Sequence, residues 1–215
     1  MDPIETTVSA VHEIGPDAVA IELDTPTGFD AEPGQFVKLS AVVDGTEEAR
    51  FYTISSLDVG GTFELTISYD PDEGGPFSEY LLSLSADDTV TITGPFGSDY
   101  YEGERRVVVF AGGPGIGPAV AIAERAIADG GEAAVVYRDD VPLHEDRLAS
   151  LATAGATVFV LGETDSLEDA VGDVLTGADD EQLFIYGFAD FLSAAEAAIA
   201  VAGGDPDAAK AENFG

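Results

Sequence analysis

The periodicity of the apolar residues changes near residues 97–106, and this change divides the chain into two halves of different fold class. In the first half, six short strand-like runs are separated by Gly, Pro and Asp turns. They predict an antiparallel sandwich or small barrel, interrupted by one helix at residues 76–84 with Pro in its first turn. In the second half, continuous apolar runs at residues 107–111, 133–137, 157–161 and 183–186 alternate with helical segments at 118–128, 166–175 and 191–201. This alternation is typical of a parallel sheet whose strands are buried on both faces.

The charge of the chain is strongly one-sided, with 42 acidic residues against 8 basic ones and a net charge of -34. The hydrophobic fraction of 45% is ordinary, so the charge does not indicate disorder. With so few cations no basic patch can neutralise phosphates, and we expect no nucleic-acid partner. The acids are spread over the whole chain, which favours a surface adapted to molar salt, where charges are screened within about 3 Å. We therefore expect the cytoplasm of a high-salt organism. A calcium-binding protein is the alternative, but loops of the DxDxDG type are absent.

Several kinds of site and location are excluded by what the sequence lacks. With no Cys, the chain cannot form disulfides, thiolate-ligated zinc sites, iron–sulfur clusters or a Cys nucleophile. The start MDPIETT is acidic and lacks an apolar h-region, so we expect no signal peptide. The longest apolar run, residues 107–123, is interrupted by AGGPGIGP and is too short to span a bilayer. His12 and His144 lie far apart in polar sequence, so we expect neither a metal site nor a catalytic pair.

Three segments carry residues that suit a ligand. AGGPGIGP at residues 111–118 follows a buried strand and opens a helix, where glycines and free N–H groups suit a diphosphate. It is neither a P-loop nor GxGxxG in register, but its Gly and Pro content favours ligand binding over a plain turn. Arg50-Phe51-Tyr52-Thr53 lies on a strand, whose alternation sends Arg50 and Tyr52 to one face and Phe51 and Thr53 to the other. Gly74-Gly75-Pro76-Phe77-Ser78 is a second glycine-to-helix junction. Taken alone, the last two fit a ligand site and an ordinary surface about equally.

The order of these segments is more specific than any one of them. Arg-x-Tyr-Thr, Gly-x-x-Ser-x-x-Leu, Gly-Pro-Phe-Gly at residues 94–97 and Gly-Gly-x-Gly-Ile-x-Pro follow one another along the chain. This series resembles the ferredoxin–NADP reductase superfamily over essentially the whole sequence. The resemblance implies a six-stranded antiparallel Greek-key β-barrel that binds flavin at residues 1–98, and a parallel-sheet α/β nucleotide-binding domain at residues 99–215. It further implies FAD rather than FMN, and hydride transfer from NAD(P)H to N5 of the flavin.

The resemblance also implies roles for individual residues. Arg50 would hold the flavin pyrophosphate, Tyr52 would pack on the isoalloxazine, and Thr53 would hydrogen-bond N5. Phe214, in a C-terminal Glu-x-aromatic, would shield the flavin until nicotinamide displaces it. The implied catalytic residues are Tyr52, Thr53, Tyr186 and Phe214. The flavin-binding set adds Ile67, Tyr69, Gly74, Gly75, Pro76, Phe77 and Ser78, and the nicotinamide-nucleotide loop is Gly112, Gly113, Pro114, Gly115, Ile116 and Gly117.

The sequence departs from the family pattern at two places near the nicotinamide nucleotide. Tyr186-Gly187-Phe188 stands where the family commonly has Cys-Gly, so the thiol is missing, and we expect these residues to pack near the nicotinamide. After the third parallel strand, Glu163 stands in an acidic segment instead of the cations that pair with a 2′-phosphate, which favours NADH over NADPH. Arg138, after the second parallel strand, argues for NADPH instead, because its cation could contact a 2′-phosphate. The adjacent Asp139 and Asp140 could neutralise that cation.

The electron acceptor must be a separate molecule, because a chain without Cys carries no iron–sulfur centre of its own. The resemblance implies a ferredoxin-like protein, an oxygenase component or a small molecule. A diffusible flavin reductase, for which flavin is a substrate, is an alternative within the enzyme class. An electron-transfer subunit or flavin-binding regulator that acts only within a larger complex is the alternative outside it.

Overall fold

The first half of the chain forms a closed antiparallel barrel. The computed structural model describes residues 2–69 and 75–215, and its first six strands form one sheet in the order β4-β3-β6-β1-β2-β5. Ile54, just beyond β4, pairs with Leu65 of β5, so the two edges of the sheet meet. The strands are β1 Ile4–Gly15, β2 Ala18–Asp24, β3 Phe36–Val43, β4 Thr46–Thr53, β5 Thr62–Ser68 and β6 Thr89–Phe96, with helix α1 at Pro76–Leu82 between the last two. The predicted six-stranded antiparallel barrel is confirmed.

Alternation along the strands separates the barrel core from its outer face. On β3, Val37 and Leu39 are fully buried in a cluster with residues from all around the sheet. Phe36 and Lys38 point the other way and are half-exposed. This period of two is the pattern expected of a sheet with one apolar and one solvated face, and it explains why the strands could be recognised in the sequence.

The second half is a parallel sheet covered by helices. Its order is β11-β10-β7-β8-β9 and every neighbouring pair is parallel. The elements are β7 Arg106–Gly112, α2 Ile116–Ala128, β8 Glu132–Arg138, α3 Glu145–Thr153, β9 Thr157–Leu161, α4 Leu167–Val174, β10 Glu181–Gly187, α5 Ala189–Val201 and β11 Lys210–Asn213. The chain runs from β7 to one side of the sheet and returns on the other, so the strand order reverses between β7 and β10. In open α/β sheets a crevice for ligands lies at such a point.

Two elements of this domain, α3 and β11, had no counterpart in the sequence analysis. Helix α3 buries only Leu148 and Leu151, and it begins after His144, which makes no side-chain cap and has φ 54°. A helix with so few buried apolar residues and no capping side chain lacks the sequence signals by which helices are usually recognised. Strand β11 has the sequence KAEN, pairs only with β10 and is half-exposed, so neither alternation nor an apolar run marks it.

Residues 98–106, a polar segment between the two halves of the sequence, are mostly exposed and are anchored through Tyr101. Tyr101 is buried, its N–H donates to the Pro33 carbonyl oxygen at 2.9 Å, and its hydroxyl donates to Asp129 at 3.2 Å. Across the same interface Arg147 of α3 forms ion pairs with Glu64 of β5 at 2.8 Å and with Glu124 of α2 at 2.7 Å. The two domains are therefore joined by buried and paired groups as well as by the chain.

None of the helices in residues 2–69 and 75–215 combines the length and apolar character needed to cross a bilayer.

Candidate functional site

A cavity of about 490 Å³ lies between the barrel and the α/β domain. On the α/β side it is lined by residues that follow β7 and β10, the two strands between which the strand order reverses, and by Phe214 after β11. On the barrel side it is lined by β4, β5 and helix α1. The lining residues are Arg50, Phe51, Tyr52, Thr53, Thr66, Ser68, Tyr69 and Ser78 of the barrel, and Pro114, Pro118, Phe188 and Phe214 of the second domain.

Strand β4 presents an aromatic ring and a cation to this cavity. Tyr52 and Arg50 lie opposite Val37 and Leu39 of β3 and so share the inner face of the strand, as alternation predicts. Burial raises the pKa of Tyr52 to about 12, against the opposing effects of Arg50 and of a hydrogen bond with Ser78. Arg50 is largely exposed: its Nη1 donates to the Ala49 carbonyl oxygen at 2.8 Å and lies 3.9 Å from Glu48. This loosely paired cation is available to an anionic ligand.

Thr53 links the barrel to the last strand of the chain. Its Oγ1 donates to Oε2 of Glu212 on β11 at 3.1 Å. Burial raises the pKa of Glu212 to about 7, with the Thr53 hydrogen bond opposing the rise and the charge of Asp99 adding to it. Glu212 is therefore a carboxyl group that can hold a proton near neutral pH beside the cavity. The sequence analysis did not place it in the site, although the C-terminal Glu-x-aromatic contained the signal.

Behind Thr53, a chain of buried polar groups runs from the barrel into the second domain. Ser55 Oγ and Thr66 Oγ1 lie 2.8 Å apart, and Thr66 Oγ1 lies 2.8 Å from Nε2 of His144. Burial, aided by the charge of Arg147, lowers the pKa of His144 to about 3, so its imidazole is neutral. Although His144 lies in a polar stretch of the sequence, the residue is buried and only 4% exposed. Only the packing of the two domains creates this environment, so no sequence signal marked it.

The glycine-rich loop after β7 combines close packing with a helix start. An added Cβ would strike the Phe191 ring at Gly112, the Tyr186 carbonyl oxygen at Gly115, and Ser55 and Thr66 at Gly117. Gly113 has φ 54°, which favours glycine. The loop leads directly into α2, whose first N–H groups have no partner within the helix. Pro114 lines the cavity, Ile116 is buried, and the loop can bring an anion to the N-terminus of α2.

Several predicted site residues lie away from the cavity wall. Tyr186 is fully buried and its hydroxyl donates to the Asp99 carbonyl oxygen at 3.1 Å. Ile67 and Phe77 belong to the barrel core, while Pro76 is exposed and Gly75 is half-buried in front of α1. Gly187 packs against Phe191, and Gly74 lies outside the described residues. Tyr69 lines the cavity, and its hydroxyl donates to Glu79 at 2.9 Å.

The acidic loops after β8 and β9 contact each other. Arg138 Nη2 donates to the Asp165 carbonyl oxygen at 2.6 Å, and its buried Nε has no partner among the described residues. Asp140 accepts instead from the N–H of Glu163 at 2.7 Å, and Asp139 accepts from the Tyr137 hydroxyl at 3.0 Å. Arg138 is therefore not neutralised by its two neighbours. Glu163 itself is exposed.

Within the described ranges there is no group of three or more His, Asp or Glu side chains that could hold a metal ion.

Comparison with known proteins connects this geometry to a family. Residues 5–101 match the family described as oxidoreductase FAD-binding domain. The toluate 1,2-dioxygenase electron transfer component of Pseudomonas putida is 32% identical over 132 residues, which is 60% of this chain and 38% of that protein. NADH-cytochrome b5 reductase 1 of Eremothecium gossypii is 40% identical over 90 residues, 40% of this chain and 30% of that protein. The matched region thus spans less than two-fifths of either relative.

Solved structures share the architecture of the whole chain. The flavohem-like FAD/NAD binding domain of nitric oxide dioxygenase from Vibrio cholerae superposes with a TM-score of 0.87 over 100% of both chains, at 21% identity. A ferredoxin NADP+ reductase from Neisseria gonorrhoeae gives 0.76, also over 100% of both, at 17% identity. At these identities the likeness establishes the fold. The chain thus shares the two-domain fold of these structures, and its first domain is similar to oxidoreductase FAD-binding domains.

Proposed function

We propose that the protein is an NAD(P)H-dependent flavoprotein reductase that passes hydride from NAD(P)H, with NADH favoured, to its FAD and delivers the electrons to a separate acceptor. The observation that carries this proposal is the cavity that both domains line, with the FAD-binding domain on one side and the glycine-rich loop of the α/β domain on the other. We place the boundary between the domains near residue 98. A reductase of this kind needs both cofactors at one place, and the cavity is where the residues of both domains meet.

The residues of the cavity fit FAD. An isoalloxazine ring needs an apolar slot with aromatic neighbours, and Tyr52, Phe188 and Phe214 line the cavity. A pyrophosphate needs a cation, and Arg50 has only a weak partner. We propose that Tyr52 and Thr53 bind the ring, that Arg50 binds the pyrophosphate, and that residues 74–78 with Tyr69 complete the site.

The flavin, when bound, supplies a position that accepts hydride and lets electrons leave one at a time. The side chains around the cavity orient the flavin ring and hold a proton beside it. Thr53 donates to Glu212, whose raised pKa lets this pair hold a proton at the cavity. The rings of Phe188 and Phe214 lie 6.3 Å apart in a T-shaped contact and cover the cavity from the second domain. Their aromatic surface excludes water from the ring until a nicotinamide takes its place.

For the second substrate we propose NADH bound along the loop from Gly112 to Gly117, with its diphosphate at the N-terminus of α2. Tyr186, Gly187 and Phe188 would lie on the nicotinamide side of the site. Carboxylates of the acidic loops, Glu163 among them, suit a free 2′-hydroxyl and repel a 2′-phosphate. Arg138 supports NADPH instead, since no carboxylate of residues 2–69 and 75–215 pairs with it.

The activities of the named relatives suggest the class of partner. One is an electron transfer component of a dioxygenase, and another is a probable dihydroorotate dehydrogenase B (NAD(+)) electron transfer subunit from Methanopyrus kandleri, 37% identical over 94 residues. The second name supports our alternative, in which the chain acts only as a subunit of a larger complex. We further propose, from the net charge of -34, that the protein works in the cytoplasm of a high-salt organism.

The visible spectrum of the purified protein in concentrated KCl tests these proposals. We expect a yellow protein that is bleached anaerobically by NADH at lower concentration than by NADPH, and that then reduces ferricyanide. Preferential bleaching by NADPH would transfer the specificity role from Glu163 to Arg138, and Arg138→Leu would then abolish the preference. A protein that is bleached but passes electrons to no small acceptor supports the subunit alternative. A colourless protein that binds no added FAD would contradict the proposed function.

A further inference from the structure

Strand β11 is attached at its first residue to the segment between the two domains. Lys210 Nζ donates to the Tyr100 carbonyl oxygen at 2.7 Å. It also donates to Glu102 at 2.8 Å and to Glu104 at 2.6 Å. An ammonium group has three N–H donors, so each donor has an acceptor here. The side chain is 15% exposed, and Nζ lies 5.3 Å from the centre of the Phe184 ring on β10.

The charge of Lys210 is what makes this attachment strong. Lys210 is one of two lysines in a chain with 42 acidic residues. Burial lowers its pKa, but the hydrogen bonds to Glu102 and Glu104 outweigh burial and raise the pKa above its ordinary value. Salt screens partly buried pairs less than pairs on the open surface, so these contacts persist at high ionic strength. Removal of the cation would leave the Glu104 carboxylate, which is 16% exposed, without its cation, and this costs free energy.

A row of aromatic rings connects Lys210 with the cavity. The Phe184 ring, which Lys210 covers, stacks on the Tyr186 ring with centroids 6.5 Å apart. The Tyr186 ring in turn lies 6.5 Å from the ring of Phe214, which lines the cavity. All three rings belong to one packed cluster. A displacement of β11 at Lys210 is therefore transmitted through packed groups to the Phe214 ring.

The rest of the strand is lightly held. Strand β11 has four residues, lies at the edge of the sheet and pairs, within the described part of the chain, with β10 alone. The hydrogen bond from Thr53 to Glu212, 3.1 Å long, joins it to the barrel. A short edge strand has few backbone hydrogen bonds to lose, and such segments open at low free energy. The contacts of Lys210 therefore contribute much of what keeps Phe214 at the cavity.

We propose that Lys210 is a positioning residue that holds Phe214 over the cavity and so sets how strongly the C-terminal segment competes with nicotinamide. This role rests on the proposed reductase function and names the residue that controls access to its site. When Phe214 covers the cavity, nicotinamide binds only after the ring has moved. The apparent affinity for NADH is then reduced by the fraction of molecules whose cavity is open. Loss of the Lys210 contacts raises that fraction, so the KM for NADH falls.

Lys210→Met tests this role, with Lys38→Met as the matched control. Methionine keeps an unbranched apolar stem over the Phe184 ring and removes the ammonium group. Lys38 is the other lysine of the chain and is half-exposed on the outer face of β3. For each protein in concentrated KCl we would measure flavin content, NADH oxidation with ferricyanide, and hydrogen exchange of the backbone amides of residues 211–214.

We expect Lys210→Met to lower the KM for NADH by about threefold or more and to change kcat by less than about twofold, because the ring competes with binding and not with hydride transfer. The amides of residues 211–214 should exchange about fivefold faster or more. Lys38→Met is expected to behave as the unchanged protein. A lysine that only stabilised the fold would not lower the KM.

Phe214→Ala shows whether Lys210 acts through the aromatic ring. Removal of the ring should itself lower the KM for NADH, and Lys210→Met should then cause no further fall, because the two residues act on one step. Glu104→Gln keeps the cation and weakens one of its three contacts, so we expect a smaller fall in KM. If Lys210→Met does not fold, Glu104→Gln decides by the same criteria.

Three results would overturn the proposal. The first is a KM for NADH that Lys210→Met leaves unchanged or raises. The second is an equal fall in KM from Lys210→Met with and without the Phe214 ring. The third is unchanged hydrogen exchange of residues 211–214 in Lys210→Met. An unchanged protein that binds no FAD and oxidises no NADH would instead contradict the proposed function, and hydrogen exchange alone would then decide whether Lys210 holds the strand.

Discussion

Replacing Gly117 by alanine tests how closely the two domains fit beside the cavity. Gly117 is the second residue of α2, and a Cβ there would lie 2.5 Å from Ser55 Oγ and 2.5 Å from Thr66 Oγ1. Ordinary contacts begin near 3.4 Å, so the barrel and the helix must separate by about 0.9 Å or the two hydroxyls must rotate away. Both movements cost free energy, because both hydroxyls belong to the buried hydrogen-bonded series that ends at His144.

The expected cost follows from these contacts. Overpacking a close-fitting site costs about 1–3 kcal/mol, and leaving a buried hydroxyl without its partner costs about 1–3 kcal/mol more. Alanine is a better helix former than glycine by up to about 1 kcal/mol, which offsets part of the loss. We expect Gly117→Ala to lower the free energy of unfolding by about 3 kcal/mol.

The matched control is Gly172→Ala in α4, where an added Cβ has nothing within 4 Å. The same chemical change should there raise the free energy of unfolding by about 0.5–1 kcal/mol. Both variants are unfolded in urea at constant high KCl and followed by far-ultraviolet circular dichroism, since urea adds no ions. Opposite shifts of the two midpoints are expected. If both midpoints rise by similar amounts, the close interdomain contact at Gly117 does not exist.

Three further predictions concern charge. The pKa of Glu212 is about 7 in the folded protein, above the ordinary value of 4.5. The free energy of unfolding therefore falls as pH rises from 4.5 to 7, because the buried carboxyl group must lose its proton. Glu212→Gln should therefore gain stability relative to the unchanged protein by about 2 kcal/mol between pH 5 and pH 8 in urea titrations, and a constant difference would refute this. For His144 the folded pKa, about 3, lies below the ordinary 6.5, so its contribution is present above pH 6.5 and is lost as pH falls towards 3. His144→Gln should lose less stability than the unchanged protein on acidification, and parallel curves would contradict that. Finally, the net charge of -34 predicts a lower melting temperature in dilute buffer than in concentrated KCl, and equal melting temperatures would remove the argument for salt adaptation.

Local patterns in the sequence were enough to predict the architecture of both domains. Alternation marks β3 because a barrel strand has one buried and one solvated face, and continuous apolar runs mark β7 and β10 because a parallel sheet is covered on both sides. Strand alternation placed Arg50 and Tyr52 on one face of β4, and the cavity is lined by both of them and also by Phe51 and Thr53 of the other face. These features depend on neighbours two to four positions apart, which the sequence displays directly.

What the tertiary structure decided depends on residues far apart in the chain. Thr53 meets Glu212 across 159 positions, and Thr66 meets His144 across 78. The high pKa of the carboxyl group and the low pKa of the imidazole come from burial between two domains, where a charge loses its hydration. Periodicity therefore determined the elements and their class, whereas the docking of one domain on the other created the environment of the site.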